Sequence, residues 1–147
     1  INPTEVVTGA HGIPVIADAL FADCAPVEAD MLVLPGGRPG AANLDAHEGL
    51  RAAISAHAEA GKWLAAICAA PMVYGHMGLL NGKNATCYPG FEGELAGAAY
   101  TAAPVEKDGN IITGKGPAVV LPFAYALAET LVGEEVVAQV KNGMLYN

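Results

Sequence analysis

Trp63-Leu64-Ala65-Ala66-Ile67-Cys68-Ala69-Ala70-Pro71 places five apolar residues in a row, then one cysteine, two alanines and a proline. A short continuous apolar run reads as a strand buried on both faces. Proline suits the first turn of a helix, where its missing N–H would have no partner anyway. The stretch therefore predicts a strand over 63–67 and a helix from about 71, with Cys68 on the turn between them. Upstream, Met31-Leu32-Val33-Leu34 is a second apolar run, ended by Pro35-Gly36-Gly37. Between the two strands, Leu50, Ala53, Ile54, His57 and Ala58 recur at helical spacing, and Gly61 can take the left-handed conformation that ends a helix. Asp45 with Glu48 three residues later reads as the capping box of that helix.

The rest of the chain continues the alternation. Asn84–Cys87 and Ile111–Thr113 are further strand candidates, with a turn at Lys107-Asp108-Gly109-Asn110 before the second. A last helix starts around Val119–Pro122, carries Val120, Phe123, Ala124, Leu127, Ala128 and Leu131 on one face, and stops at Gly133. At the N-terminal end, Glu5–Thr8 and Ile13–Ala17 read as a hairpin around Gly9-Ala10-His11-Gly12. Alternating strands and helices define a three-layer α/β fold with a mostly parallel sheet. No repeat, linker or low-complexity stretch interrupts residues 1–147, which read as one domain.

Composition narrows the partners. The chain is 53% hydrophobic and 15% charged, yet no apolar run reaches the ~18 residues of a membrane span. A net charge of -8 argues against nucleic acid, which requires clustered Lys and Arg. Three cysteines without a pairing pattern fit free thiols in a reducing compartment, so the expected location is the cytoplasm.

Open parallel sheets place their ligand sites at the carboxyl ends of the strands. Gly36-Gly37 and Cys68 occupy two such ends. A sharp strand-to-helix turn projects the cysteine outward and aims the first helical N–H groups at the same point, which favours a nucleophilic thiolate. Gly36 and Gly37 allow a facing backbone to approach and donate N–H groups to an oxyanion. A small buried core cysteine is the other reading that position alone allows. His47, His57 and His76 read as helix-surface or helix-end residues, and none has metal-ligand spacing with a carboxylate or cysteine. Cys24 reads as a connector thiol, and Gly36-Gly37 with Gly40 lacks the dinucleotide fingerprint.

The strings Met31–Gly37, Ala65–Pro71 and Val105-Glu106-Lys107-Asp108-Gly109, with Gly116-Pro117 and Val137-Ala138-Gln139-Val140, resemble the ThiJ/PfpI superfamily. Within it they are most similar to the branch of parkinsonism-associated protein deglycases. That resemblance implies a flavodoxin-like sandwich, no cofactor, a homodimer, and Cys68 as the catalytic or redox-sensing nucleophile. The amides of Gly37 and Ala69 would line the site. The implied activity is glyoxalase or deglycase chemistry on reactive carbonyls such as methylglyoxal, or on their glycation adducts. The alternative it implies is a redox-sensing stress-response or chaperone protein whose Cys68 is oxidised. His11 matches a position from which relatives reach the partner subunit's site. Tyr88 stands where relatives often carry a basic residue or histidine, and Cys87 lies beside it. Proteolysis and amidotransfer are disfavoured, because Ala69 replaces the histidine of intracellular-protease relatives and no histidine follows His76. Relatives also carry a glutamate, on the helix after their first strand, that bonds the cysteine. No segment here matches it. The expectation is a domain without that first strand and helix, a unit of about 30 residues, and without its carboxylate.

Overall fold

Eight strands and five α-helices make up the computed structural model, which describes residue 1 and residues 3–146. In chain order they are β1 (Val6–Thr8), β2 (Pro14–Ile16), β3 (Met31–Leu34), α1 (Gly40–Asp45), α2 (Glu48–Glu59), β4 (Trp63–Ile67) and α3 (Pro71–His76). After these come β5 (Asn84–Ala85), β6 (Ala99–Tyr100), β7 (Val105–Asp108), β8 (Ile111–Gly114), α4 (Val120–Val132) and α5 (Glu134–Gly143). The main sheet has the order β3-β4-β8-β7. β4 pairs parallel with both β3 and β8, and only the edge strand β7 runs antiparallel. β1 and β2 form a separate exposed hairpin, as expected, and β5 pairs with β6.

The central position of β4 explains its sequence. Successive side chains of a strand point to opposite faces, and both faces of β4 are covered. Leu64 and Ala66 pack with Leu50 and Ile54 of α2 and Val73 and Tyr74 of α3. Ala65 on the other face packs with Ile112 of β8 and Phe123 of α4. This is the flavodoxin-like α/β arrangement, with the carboxyl ends of β3 and β4 side by side in register, Leu34 opposite Ala66. The outer edge of β3 has no strand partner among the described residues, and Val33 there is half-exposed. No described helix is long and apolar enough to cross a membrane.

Several local expectations are corrected. Asp45 does not cap α2: it is the last residue of α1, and its carboxylate is engaged by Arg51 at 2.6 Å and His76 at 2.8 Å. His47 takes the capping role, its Nδ1 accepting the Leu50 N–H at 3.0 Å. His57 is no surface residue but lies fully buried on the apolar face of α2. The strand at Asn84 ends at Ala85, two residues earlier than expected. On α4, Phe123 is buried as expected, but Val120 and Leu131 at the two ends of the stripe are half-exposed. Its opposite flank buries Tyr125, whose ring meets Tyr146 at 4.8 Å and whose hydroxyl donates to Met144 Sδ, because α5 folds back along α4.

Candidate active site

Cys68 sits at φ +65°, in the left-handed region that residues with a Cβ rarely adopt. Such a conformation costs about 1–3 kcal/mol and persists only where the surroundings enforce it. Here the backbone is held from both sides. The Cys68 N–H donates to the Gly114 carbonyl at 2.9 Å, and its carbonyl accepts the Tyr88 N–H at 2.8 Å. Behind the turn, the buried Tyr74 hydroxyl donates to the Ala65 carbonyl at 3.0 Å and ties α3 to β4. Burial raises the pKa of this phenol, so it stays a donor.

Gly36 explains why the loop after β3 carries glycine. A Cβ there would lie 2.6 Å from Cys68 Cβ and 2.8 Å from the Ile67 carbonyl oxygen. Only a residue without a side chain lets this loop face the cysteine turn. The same holds behind the cysteine, where a Cβ on Gly114 would meet the Phe123 ring at 2.8 Å.

Between these two loops opens a cavity of about 430 Å³, lined by Gly37, Arg38, Cys68, Ala69, Tyr88, Pro89, Gly90 and Phe91. Its outer wall is a type II turn. Pro89 and Gly90 occupy the central positions, Gly90 has φ +93°, and the Phe91 N–H donates to the Tyr88 carbonyl at 3.1 Å. Glu92 completes the turn by accepting the Gly90 N–H at 2.8 Å, which holds its carboxyl below the usual range. Arg38 lies over the Phe91 ring, 4.5 Å from its centre. The N–H groups of Gly37 and Ala69 donate to no described residue, although Ala69 is buried. Buried backbone donors are nearly always paired, so an unpaired one beside a nucleophile is a free binding position.

The cavity thus brings together Cys68, Gly37, Ala69 and Tyr88, with Gly36 packed directly behind. Cys68 is half-buried, and no described residue hydrogen-bonds its sulfur. Cys87 lies one step deeper, fully buried; burial, then the charges of Glu92 and Cys68, push its thiol up to about 11. The Tyr88 ring is half-exposed and rests against Gly116. His11 lies exposed on the β1–β2 turn and does not line the cavity. Cys24 is exposed, its thiol donating to the Leu20 carbonyl. An apolar groove of about 420 Å³ runs along the free side of β3, but among the described residues Cys24 is the only reactive side chain lining it. Among the described residues no group of three or more His, Cys, Asp or Glu could hold a metal ion.

Arg38, Pro89, Gly90 and Phe91 were not among the residues singled out from the sequence. The string Tyr88-Pro89-Gly90-Phe91 did carry a signal, since Pro-Gly at the centre of four residues specifies a type II turn. Its place after Cys87 would have put that turn at the carboxyl end of a strand.

A flavodoxin-like domain with a strained cysteine turn at the carboxyl end of its central strand is a defined class of protein. This chain matches the DJ-1/PfpI family over residues 2–130 and belongs to that family. Protein DJ-1 homolog B of Arabidopsis thaliana is 38% identical over 95% of the chain. The chain spans about a third of that plant protein's length. A deglycase of Pyrococcus abyssi is 37% identical over 76% of this chain and 68% of its own. Among solved structures, oxidized DJ-1 of Toxoplasma gondii superposes with a TM-score of 0.91 at 33% identity, over 99% of this chain and 79% of that one.

Proposed function

We propose that this chain carries the active site of a cysteine-dependent, cofactor-independent enzyme acting on reactive carbonyls such as methylglyoxal, or on their glycation adducts. The observation that carries the reading is the pairing of Cys68 with two unengaged N–H groups, of Gly37 and Ala69, at one cavity. The Cys68 thiolate adds to the aldehyde carbon, forming a C–S bond and moving the carbonyl electrons onto oxygen. The two N–H groups hold that oxyanion. The proton on the same carbon then moves to its neighbour through an enediolate, which leaves a thioester that water cleaves. Methylglyoxal and water become lactate and a proton, and no oxidant is consumed. The deglycase name of the archaeal relative supports the same chemistry.

The family resemblance further supports a homodimer in which His11 reaches the partner's cavity, a reading that sedimentation at micromolar concentration tests. Three free cysteines support a reducing location such as the cytoplasm. A second reading, oxidation of Cys68 to a sulfinic acid in a stress sensor, is favoured by the oxidized state of the Toxoplasma structure. Lactate formed from methylglyoxal separates the two. The enzyme reading expects steady lactate production that Cys68→Ser abolishes while the protein stays folded. Lactate production that survives this substitution, or its absence from the unmodified protein, overturns it.

A further inference from the structure

We propose that Arg38 makes this cavity selective for anionic carbonyl compounds, so that a 2-oxoaldehyde ending in a carboxylate is a better substrate than neutral methylglyoxal. The proposal rests on the reading of Cys68 as nucleophile and adds to it the chemical class of the substrate.

Of the seven Lys and Arg residues, Arg38 alone lines the cavity. The others are occupied elsewhere. Arg51 and Lys141 pair with Asp45 and Glu129, and Lys83 reaches Asp108. Lys62 and Lys115 donate to the carbonyls of Ala29 and Ala102, and Lys107 donates to the Thr130 hydroxyl. Arg38 has no carboxylate partner and no hydrogen-bond acceptor among the described residues. Its guanidinium carbon lies over the Phe91 ring, 4.5 Å from the centre. A cation–π contact of this kind anchors a guanidinium without consuming its N–H donors. Those donors match a carboxylate in a two-point pair.

The surroundings make an accidental charge a poor explanation. Fifteen acidic residues are available in the chain, and Glu92, the residue directly after the turn that Arg38 covers, spends its carboxylate on the Gly90 N–H instead. Apart from the nucleophile Cys68 itself, the rest of the lining is neutral or apolar. A net charge of -8 repels anions from the protein as a whole. A cation left open beside the nucleophile therefore acts locally, against that field. With the carboxylate of 4,5-dioxopentanoate on Arg38, its aldehyde carbon accepts the Cys68 thiolate. The balanced outcome is the dioxo acid plus water giving 2-hydroxyglutarate and a proton, by the internal shift described above.

Two alkylating reagents of nearly equal size test this without requiring turnover. Iodoacetate and iodoacetamide both lose iodide to a thiolate and differ in charge. The rates at Cys68 and Cys24 are measured in one sample of the intact protein by peptide mass spectrometry. The iodoacetate-to-iodoacetamide ratio at Cys68 should exceed that at Cys24 by roughly threefold to tenfold at low salt, and shrink as salt is added. The thiolate fraction cancels in this ratio, so a change in Cys68 acidity cannot imitate the effect. Arg38→Met should bring the Cys68 ratio down to that of Cys24, while Arg38→Lys should keep part of the excess. Equal ratios at both cysteines, or an excess that survives Arg38→Met, overturns the proposal. In turnover, Arg38→Met should lower kcat/KM for 4,5-dioxopentanoate at least fivefold more than for methylglyoxal, in line with a lost charge-assisted pair; equal losses overturn it. If neither compound is converted while the reagent ratio follows Arg38, the enzyme reading falls and the anion selectivity of the cavity stands.

Discussion

Replacing Cys68 by glycine should give a more stable protein than replacing it by alanine. Both substitutions remove the thiol, so neither oxidation nor thiolate charge enters the comparison. They differ in one methyl group on a residue held at φ +65°. At an ordinary helix or strand position glycine is the less stable of the two by about 0.5–1 kcal/mol, because it loses more backbone freedom on folding. At positive φ a Cβ costs about 1–2 kcal/mol, and glycine avoids that cost. The difference leaves glycine ahead by roughly 0.5–1 kcal/mol, which for a chain of this size moves the melting temperature up by about 1–4 °C. Thermal unfolding of Cys68→Gly and Cys68→Ala in the same buffer, followed by far-ultraviolet circular dichroism, reads the sign directly. If the glycine variant melts at or below the alanine variant, the turn is not strained and the enforced elbow is wrong.

Other perturbations follow from neighbouring contacts. Gly36→Ala forces a Cβ to within 2.6 Å of Cys68 Cβ; it should cost roughly 1–3 kcal/mol, as overpacking does, and slow alkylation of Cys68, both readable in one preparation. His76 is bonded by Asp45 and Glu94, in that order of effect, and both raise its pKa. A histidine whose folded pKa is raised stabilises fully below about pH 6.5 and loses that contribution as pH rises through the folded value. His76→Gln should therefore cost ~0.5–1 kcal/mol near pH 6, in the range of surface ion pairs, and nearly nothing at pH 9; a loss independent of pH contradicts the pairing. His57 behaves in the opposite sense, since burial lowers its pKa more than the neighbouring Ala29 backbone carbonyl raises it. Its stability is present above about pH 6.5 and lost as pH falls, so the melting temperature of His57→Leu should gain on the unmodified protein between pH 7 and pH 5.

Much of the fold was legible because its central elements are defined by local patterns. Met31–Leu34 and Trp63–Ile67 appear with the bounds their apolar runs indicate, because strands covered on both faces leave no polar interruption. β7 was invisible as a strand: Val105-Glu106-Lys107-Asp108 is an edge with mixed polarity, and its pairing to β8 defines it rather than its composition. The capping box at Asp45 failed because a carboxylate three residues before a glutamate has other partners available in three dimensions, here Arg51 and His76. The site divides the same way. Cys68, Ala69 and the two glycines follow from chain-local geometry at strand ends. Arg38 and Phe91 meet only because the Tyr88–Phe91 turn folds across to the loop after β3, a contact between segments some fifty residues apart that no local pattern encodes.

The central claim is that Cys68 is chemically activated by its place on the turn, and competition among the three thiols tests it most directly. The folded protein is exposed to a limiting amount of iodoacetamide at mildly acidic pH, and the label on each cysteine is counted by mass spectrometry. Cys24 is exposed and Cys68 only half-buried, so access alone favours Cys24. Cys87, buried with its thiol pushed up to about 11, should stay unlabelled. The account predicts that Cys68 is labelled first despite its poorer access. Labelling of Cys24 at the same rate or faster would contradict it.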